Sequence, residues 1–170
     1  AYYNSLHGAF ILDDQRFLSD PKIGEPFESS MAQRPVIALT LAINYWLDGF
    51  HPRGYHVVNL LIHLIGAITL YDIIRRTLLL PRFSGLYGDE APWLAGMCAA
   101  IWLVHPLQTQ SVTYIIQRCE SLMGMFYLLT FWCYLRYATA TGYRIGWLVA
   151  GFVACALGAG CKELLLTLPI

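Results

Sequence analysis

The feature that most constrains this chain is the way its charged residues bracket long uncharged runs. Asp, Glu, Lys and Arg are absent from residues 54–71, 91–117, 121–135 and 145–161. A helix needs roughly 20 apolar residues, and about 17 at the least, to cross a hydrocarbon core of about 30 Å. The pattern therefore predicts an all-α fold, a polytopic membrane helix bundle. Its four predicted spans are residues 55–74, 91–104, 120–137 and 145–160.

The composition agrees with this class and excludes two others. Of the 170 residues, 57% are hydrophobic and only 13% are charged, against about 25% charged in soluble domains. Eleven Lys and Arg balance eleven Asp and Glu, so there is no basic excess to hold a nucleic acid backbone. A disordered chain is excluded as well, because it would combine low hydrophobicity with high net charge.

The first 53 residues differ from the rest and form a separate predicted unit. Turn signals at Asp20-Pro21 and Glu25-Pro26 break up any long helix there. Residues 36–47 have helical spacing of apolar side chains but are too few to span a membrane, which favours an interfacial or re-entrant helix. We therefore divide the chain into an external loop (residues 1–53) and a transmembrane bundle (residues 54–170).

Basic residues in the loops predict the orientation. They follow the first and third spans, and cytoplasmic loops carry an excess of Lys and Arg; they are Arg75, Arg76, Arg82, Arg136 and Arg144. With four spans, residues 1–53, 105–119 and 161–163 must then emerge together on the opposite, external, periplasmic or lumenal side. The polar residues gathered there form the candidate site: Asp13, Asp14, Arg34, His105, Arg118, Glu120, Lys162 and Glu163.

The acidic pair Asp13-Asp14 follows an apolar stretch directly. Adjacent carboxylates repel each other, and burial raises the pKa of such a group, so one of them could act as a general base or help to bind a metal. The alternative is that they cap a helix over residues 15–18, since Asp is a favoured N-cap.

The basic candidates have structural as well as functional interpretations. His105-Pro106 could bind a phosphate or carboxylate, or simply end the second span. Arg118 could form a local ion pair with Glu120, hold a lipid phosphate bidentately, or extend to the interface. The pair Lys162-Glu163 stands just before an apolar run, at a depth where ionisable groups are usually functional.

One polar stripe lies inside the first span. His56, Asn59 and His63 stand at positions i, i+3 and i+7. Interhelical hydrogen bonding, axial ligation of a haem or chlorin, and a part in a substrate cavity are the three open interpretations. No spacing predicts a zinc or di-iron site.

Several motifs, taken in order, resemble one family of membrane glycosyltransferases. They are Asn4-Ser-Leu-His-Gly8, Phe10-Ile-Leu-Asp-Asp14, Arg34-Pro35, Asn44-Tyr45, the run Gly54 to His63, the run His105 to Arg118, Lys162-Glu163 and Thr167-Leu-Pro169. The chain resembles the N-terminal membrane portion of the transmembrane and tetratricopeptide-repeat O-mannosyltransferases, in a bacterial-type version. That family has the GT-C architecture, with many membrane helices and an external or lumenal active site.

The resemblance implies specific roles. Asp13 or Asp14 would be the general base toward an acceptor hydroxyl, and Arg118, Lys162 and His105 would hold the phosphate of a polyprenyl-linked sugar donor. Arg34, Glu120 and Glu163 would support them. The family carries further spans and helical repeats, so about four helices would enclose only part of a donor cavity and this segment alone is expected to be inactive.

Two functional hypotheses follow from these observations. The first is the membrane-embedded portion of a glycosyltransferase in a bacterial inner membrane, using a lipid-linked sugar donor. The second is a non-catalytic accessory subunit of a larger membrane complex, such as a pigment-containing, energy-converting one. Both hypotheses predict membrane lipids and other membrane helices as partners.

Overall fold

The computed structural model describes residues 14, 20, 22–142 and 144–162, and every regular element within these residues is helical. This confirms the predicted all-α class. A 3-10 turn, Pro106–Gln108, precedes the fifth helix. The helices are α1 Pro35–Asp48, α2 Pro52–Leu78, α3 Pro81–Tyr87, α4 Ala91–Val104, α5 Thr109–Thr113, α6 Arg118–Thr139 and α7 Ile145–Ala159.

Proline marks where several of these helices begin. Pro35, Pro52 and Pro81 each occupy the first helical position, and Pro92 occupies the second position of α4. Proline suits this place because its fixed φ is helical and the N–H that it lacks would have no partner within the helix. The interfacial helix predicted over residues 36–47 is therefore α1, although its position in a membrane stays a prediction.

One helix is long and apolar enough to cross a membrane among the residues described. This is α2, with 27 residues and a mean hydropathy of 2.0 over its most apolar window. The apolar helices α4 and α7 have 14 and 15 residues, which at 1.5 Å per residue is about 21–23 Å and shorter than a bilayer core of about 30 Å. All four predicted spans are helices with nearly the predicted bounds, but the four-span bundle itself is not confirmed.

The outer faces of the short apolar helices expose large hydrophobic side chains in rows. Trp93, Met97 and Ile101 recur along α4 at steps of four residues, and each is more than half exposed. A continuous apolar row of this kind is typical of a surface that meets lipid or another helix. The arrangement agrees with a membrane setting.

Contacts between helices give their relative directions. The start of α2 lies beside the start of α6, where Asn59 meets Arg118, and the two helices meet again further along, where Asp72 contacts Trp132. Helix α6 and helix α7 run in opposite directions, because Trp132 contacts Trp147 while Glu120 contacts Lys162. Helices α2 and α6 are thus parallel, as alternating spans of one bundle require.

The bundle consequently has two polar ends, which we name after arginines of α6. The Arg118 end contains Asp14, Arg34, Arg118, Glu120 and Lys162. The Arg136 end contains Asp72, Arg75, Arg76, Trp132, Arg136 and Trp147. This separation of the polar residues into two ends agrees with the separation predicted from the charges of the loops. The side of a membrane on which each end lies stays a prediction.

The Arg118 end is closed by a tight contact between the last turn of α7 and the first turn of α1. A Cβ at Gly160 would lie 2.8 Å from Cγ2 of Val36 and 3.7 Å from Cγ of Pro35. Only glycine fits this approach without a shift of its neighbours. The contact brings Arg34-Pro35 next to the segment that carries Lys162.

Candidate functional site

The centre of the Arg118 end is the arginine itself, which is completely buried. Its Nε donates to Oδ1 of Asn59 at 2.7 Å, and its Nη1 donates to Oδ1 of Asn44 at 2.7 Å and to the Thr40 carbonyl at 3.2 Å. Its Nη2 donates to the Tyr55 carbonyl at 3.2 Å. The guanidinium also lies 5.7 Å from the centre of the Tyr55 ring. All four acceptors are neutral, so the charge is solvated by amide dipoles.

Asn59 extends this network to the segment before α6. While its Oδ1 accepts from Arg118, its Nδ2 donates to the carbonyls of Tyr114, at 3.1 Å, and Val112, at 3.4 Å. One buried side chain therefore holds the irregular stretch between α5 and α6 against α2. These contacts agree with the hydrogen-bonding interpretation for Asn59.

Asp14 lies beside that same stretch. It is 1% exposed, and its Oδ1 accepts a hydrogen bond of 2.9 Å from the backbone N–H of Ile116, two residues before Arg118. A sequence separation of 102 residues is bridged by this bond. The predicted acidic motif and the predicted His105-to-Arg118 motif are thus in contact. Asp13, the other half of the acidic pair, lies outside the described residues.

Glu120 and Lys162 form an ion pair that joins the start of α6 to the end of α7. Both side chains are about one third exposed, so each remains accessible from outside the bundle. The predicted local pair of Arg118 with Glu120 is wrong, because residues two apart on a helix point to different faces. Glu163 lies outside the described residues, and Arg34 is exposed at the start of α1.

His105 is exposed and closes the end of α4. Its Nδ1 accepts from the Leu107 N–H at 3.2 Å and so caps the 3-10 turn. This agrees with the helix-ending interpretation. The structure does not test its role toward a phosphate, which stays a prediction, as do the phosphate-binding roles of Lys162 and Arg118.

The two histidines of α2 face the interior of the bundle. His63 is 4% exposed, its Nε2 lies 3.0 Å from the Leu103 carbonyl, and its ring stacks on Trp102 with centroids 4.7 Å apart. His56 is 3% exposed. For His63 these contacts are those of helix packing, which agrees with the first interpretation of the stripe rather than with ligation of a haem or chlorin.

The pKa values of Asp20 and Cys161, near this end, are shifted. The pKa of Asp20 is lowered, chiefly by the backbone N–H of Ser30, which donates to its Oδ2 at 2.6 Å. The pKa of Cys161 is raised to about 12, because the thiol is buried and Cys119 lies nearby. Cys161 therefore stays protonated and serves as a small apolar side chain at neutral pH.

Metal ligands are not assembled in the part of the chain that the structure describes. No group of three His, Cys, Asp or Glu side chains is close enough there to hold an ion. The arrangement instead offers a buried carboxylate, a buried guanidinium and an accessible ammonium within one end of the bundle.

Asn44 and Tyr55 are site residues that the sequence did not reveal as such. The sequence feature that could have identified Asn44 is its place in the apolar helix α1, where it shares a face with Thr40 one turn earlier. An amide in such a helix predicts a buried partner. The identity of that partner, 74 residues further along the chain, was not readable from spacing.

Comparison with known proteins shows that the chain is similar in sequence to one class of enzymes, the protein O-mannosyl-transferases. The chain is 29% identical over 199 residues to mouse protein O-mannosyl-transferase TMTC4, covering 95% of this chain and 26% of that protein. It is 29% identical to Drosophila melanogaster Tmtc2, covering 98% of this chain and 19% of the relative, and 31% identical to human TMTC4, covering 79% and 19%.

These relatives refine two of the predictions. The chain spans about a quarter or less of their length. They are animal proteins, so the predicted bacterial type and bacterial inner membrane find no support in them. No family model matches the chain, and no solved structure matches it.

Proposed function

We propose that this chain is a membrane-embedded portion of a protein O-mannosyl-transferase of the GT-C architecture. It would take its sugar from a polyprenyl-phosphate donor at the non-cytoplasmic face of the membrane. The whole enzyme would include further helices, since the relatives are several times longer than this chain. The reaction forms a bond between an acceptor hydroxyl and the anomeric carbon of the sugar.

The observation that carries the proposal is the position of Asp14. A carboxylate from the external loop reaches the His105-to-Arg118 segment and accepts a hydrogen bond from Ile116 N–H. These are the two segments through which the chain most resembles the transferases. A buried carboxylate that a backbone N–H holds in place is suited to accept a proton from a substrate hydroxyl.

The proposed step is an inverting displacement at the anomeric carbon of the sugar. The acceptor hydroxyl loses its proton to the carboxylate of Asp14 or Asp13 while its oxygen attacks the anomeric carbon. The bond from that carbon to the phosphate oxygen breaks, and the electron pair leaves with the polyprenyl phosphate. Attack from the side opposite the leaving group inverts the configuration of the sugar carbon.

Cationic groups are needed where the phosphate leaves. Lys162 is the accessible candidate, being one third exposed and held by Glu120, and His105 is exposed near the same end. Arg118 would contribute differently, by fixing the backbone around Ile116 through its contacts with α1 and α2. A direct contact of Arg118 with phosphate would require the groups that cover it to move, because the side chain is completely buried.

The test is glycosyl transfer by the full-length protein with Asp13→Asn and Asp14→Asn introduced one at a time. Loss of a general base lowers the rate by roughly 10²–10⁴-fold, and we expect that loss in at least one variant. Asp48→Asn is the matched control, because Asp48 is a half-exposed carboxylate at the end of α1. The variants should unfold at the same temperature as the wild type.

Unchanged transfer in both aspartate variants, with normal folding, would overturn the catalytic assignment. A loss shared by Asp48→Asn would point instead to a general effect of charge in the external loop. The hypothesis of a non-catalytic subunit is less well supported, because the relatives reported above all carry transferase names. Stable co-purification with other subunits and no transfer activity would favour it.

A further inference from the structure

The Arg136 end combines cationic and aromatic side chains from three helices. Arg75 Nη1 donates to Oδ1 of Asp72 at 3.2 Å, and Arg76 Nε donates to Oδ2 at 2.5 Å. Trp132 Nε1 also donates to Oδ2 of Asp72, at 2.7 Å. A single carboxylate thus organises two arginines of its own helix and an indole of α6.

Arg136 completes this end from the last turn of α6. Its Cζ lies 4.4 Å from the centre of the Trp147 ring and 5.5 Å from that of Trp132, and the two rings pack edge to face at 5.2 Å. Cation–π contacts of this kind orient a guanidinium without using its N–H groups. Within the described residues Arg136 has no carboxylate within 4 Å, since the ion pairs there involve other cations.

The charge of this end is therefore unbalanced. Three guanidinium groups face one carboxylate, which leaves a net charge of about +2. Arg75 and Arg76 each direct one N–H to Asp72, and their side chains remain 39% and 31% exposed. Most of the fifteen or so N–H donors that three arginines carry are thus left for another acceptor.

The position of the cluster indicates what that acceptor is. Asp72, Arg75 and Arg76 directly follow the apolar length of α2, whose exposed side chains include Ile65 and Ile68. When α2 crosses a bilayer, the cluster lies at the level of the lipid phosphates. Tryptophan and arginine are suited to this level, because the indole rings tolerate the interface and the guanidinium binds phosphate bidentately.

We propose that the Arg136 end is a binding site for the headgroup of an anionic phospholipid, with Arg136 and Arg76 as the phosphate ligands. Trp132 and Trp147 hold Arg136 in place, and Asp72 does the same for Arg76. The site depends on the membrane position of α2 and is independent of sugar transfer. The lipid proposal and the proposed catalytic function can therefore be tested, and can fail, separately. The lipid belongs to the leaflet opposite the Arg118 end, the cytoplasmic one in the predicted orientation.

The experiment measures lipids retained by the full-length protein in native mass spectrometry, after extraction from vesicles of phosphatidylcholine mixed with phosphatidylserine. We expect preferential retention of phosphatidylserine by the wild type. Arg136→Gln should weaken it about fivefold, because the charge-assisted hydrogen bonds of the guanidinium to the phosphate are lost. Arg82→Gln is the matched control, because Arg82 lies on α3 against Phe83 and outside the cluster.

A second variant separates binding from mere packing. Asp72→Asn keeps an oxygen that can accept from Trp132 but removes the negative charge, so retention of phosphatidylserine should increase. A cluster that serves only to pack the helices would give no increase. Opposite shifts in Asp72→Asn and Arg136→Gln, with Arg82→Gln unchanged, would support the site.

Three outcomes would overturn the proposal. They are equal retention of phosphatidylserine and phosphatidylcholine by the wild type, equal losses in Arg136→Gln and Arg82→Gln, and complete displacement of the lipid by inorganic phosphate. The last result would identify a site for a small anion instead. Should Arg136→Gln fail to fold, Arg76→Gln replaces it, because Arg76 is the other proposed phosphate ligand and its side chain is 31% exposed.

Discussion

Helix α6 carries one arginine in its first turn and another in its last, and the two have opposite surroundings. Arg118 is fully buried and donates to four neutral oxygens of α1 and α2. Arg136 is half-buried and lies between two indole rings that accept no conventional hydrogen bond. At 1.5 Å per residue the two positions are about 27 Å apart along the helix.

The same residue type therefore has a structural role at one end of α6, whereas at the other end its N–H donors remain available for a ligand. A guanidinium whose donors are satisfied internally fixes the elements around it. A guanidinium oriented by ring faces keeps its donors for a ligand. In a membrane protein, exposure and the nature of the partners therefore separate the two roles better than the distance of an arginine from a helix end does.

Replacement of Arg118 should have the largest effect on stability. Arg118→Leu leaves the buried side-chain oxygens of Asn44 and Asn59 without their donor and should lower the free energy of unfolding by about 4 kcal/mol. Denaturation of the purified protein in mixed micelles measures this. Arg53→Leu, at an exposed arginine in the first turn of α2, should change it by less than about 0.5 kcal/mol. Similar losses in both variants would show that the burial of Arg118 is not the reason for its effect on stability.

A smaller loss is expected where α7 meets α1. Gly160→Ala places a Cβ 2.8 Å from Cγ2 of Val36, and overpacking of this kind costs about 1–3 kcal/mol. The double variant Gly160→Ala, Val36→Ala should recover most of the loss, because the clashing methyl group is removed. Additive losses in the double variant would show that Gly160 matters for another reason.

At the Arg136 end a single hydrogen bond can be removed while the ring is retained. Trp132→Phe deletes the donor to Asp72 and should cost about 1 kcal/mol. The remaining aromatic ring still faces Arg136. A decrease in the free energy of unfolding as large as that of Arg118→Leu would mean that the two ends contribute equally to stability, which would contradict the contrast between them.

The smallest effect concerns pH and the loop before α1. The pKa of Asp20 is lowered in the folded protein, mainly by the Ser30 N–H, so its contribution to stability is complete above the unfolded value of about 3.9. It is lost as the pH falls through the lower, folded pKa. In Asp20→Asn the free energy of unfolding should therefore fall slightly less steeply than in the wild type as the pH is lowered into the acid range. An unchanged slope in that range would contradict this.

Sequence patterns predicted the helices well because local rules govern them. The span predicted at 91–104 is α4 without change, and that at 145–160 differs from α7 by one residue. The span predicted at 55–74 begins earlier and ends later in the structure, at Pro52 and Leu78. The predicted end at residue 74 lies directly before Arg75 and Arg76, which continue the helix in the structure.

The candidate site was predicted less completely, because its contacts join distant parts of the chain. The gathering of Asp14, Arg118 and Lys162 at one end follows from counting spans. The partners of Arg118 do not, since Asn44 and Asn59 are 74 and 59 residues away. The pairing of Glu120 with Lys162 was missed for the same reason, as spacing along one helix indicates only local neighbours.

The order of the chain gives the buried Arg118 network a consequence for biosynthesis. Thr40, Asn44, Tyr55 and Asn59 all precede Arg118, and proteins are made from the N-terminus. Every acceptor that the network uses has therefore been synthesised before the arginine leaves the ribosome. Asp72 is likewise neutralised by arginines of its own helix, three and four residues later. Arg118 therefore never precedes its partners, and Asp72 precedes its own by only three or four residues.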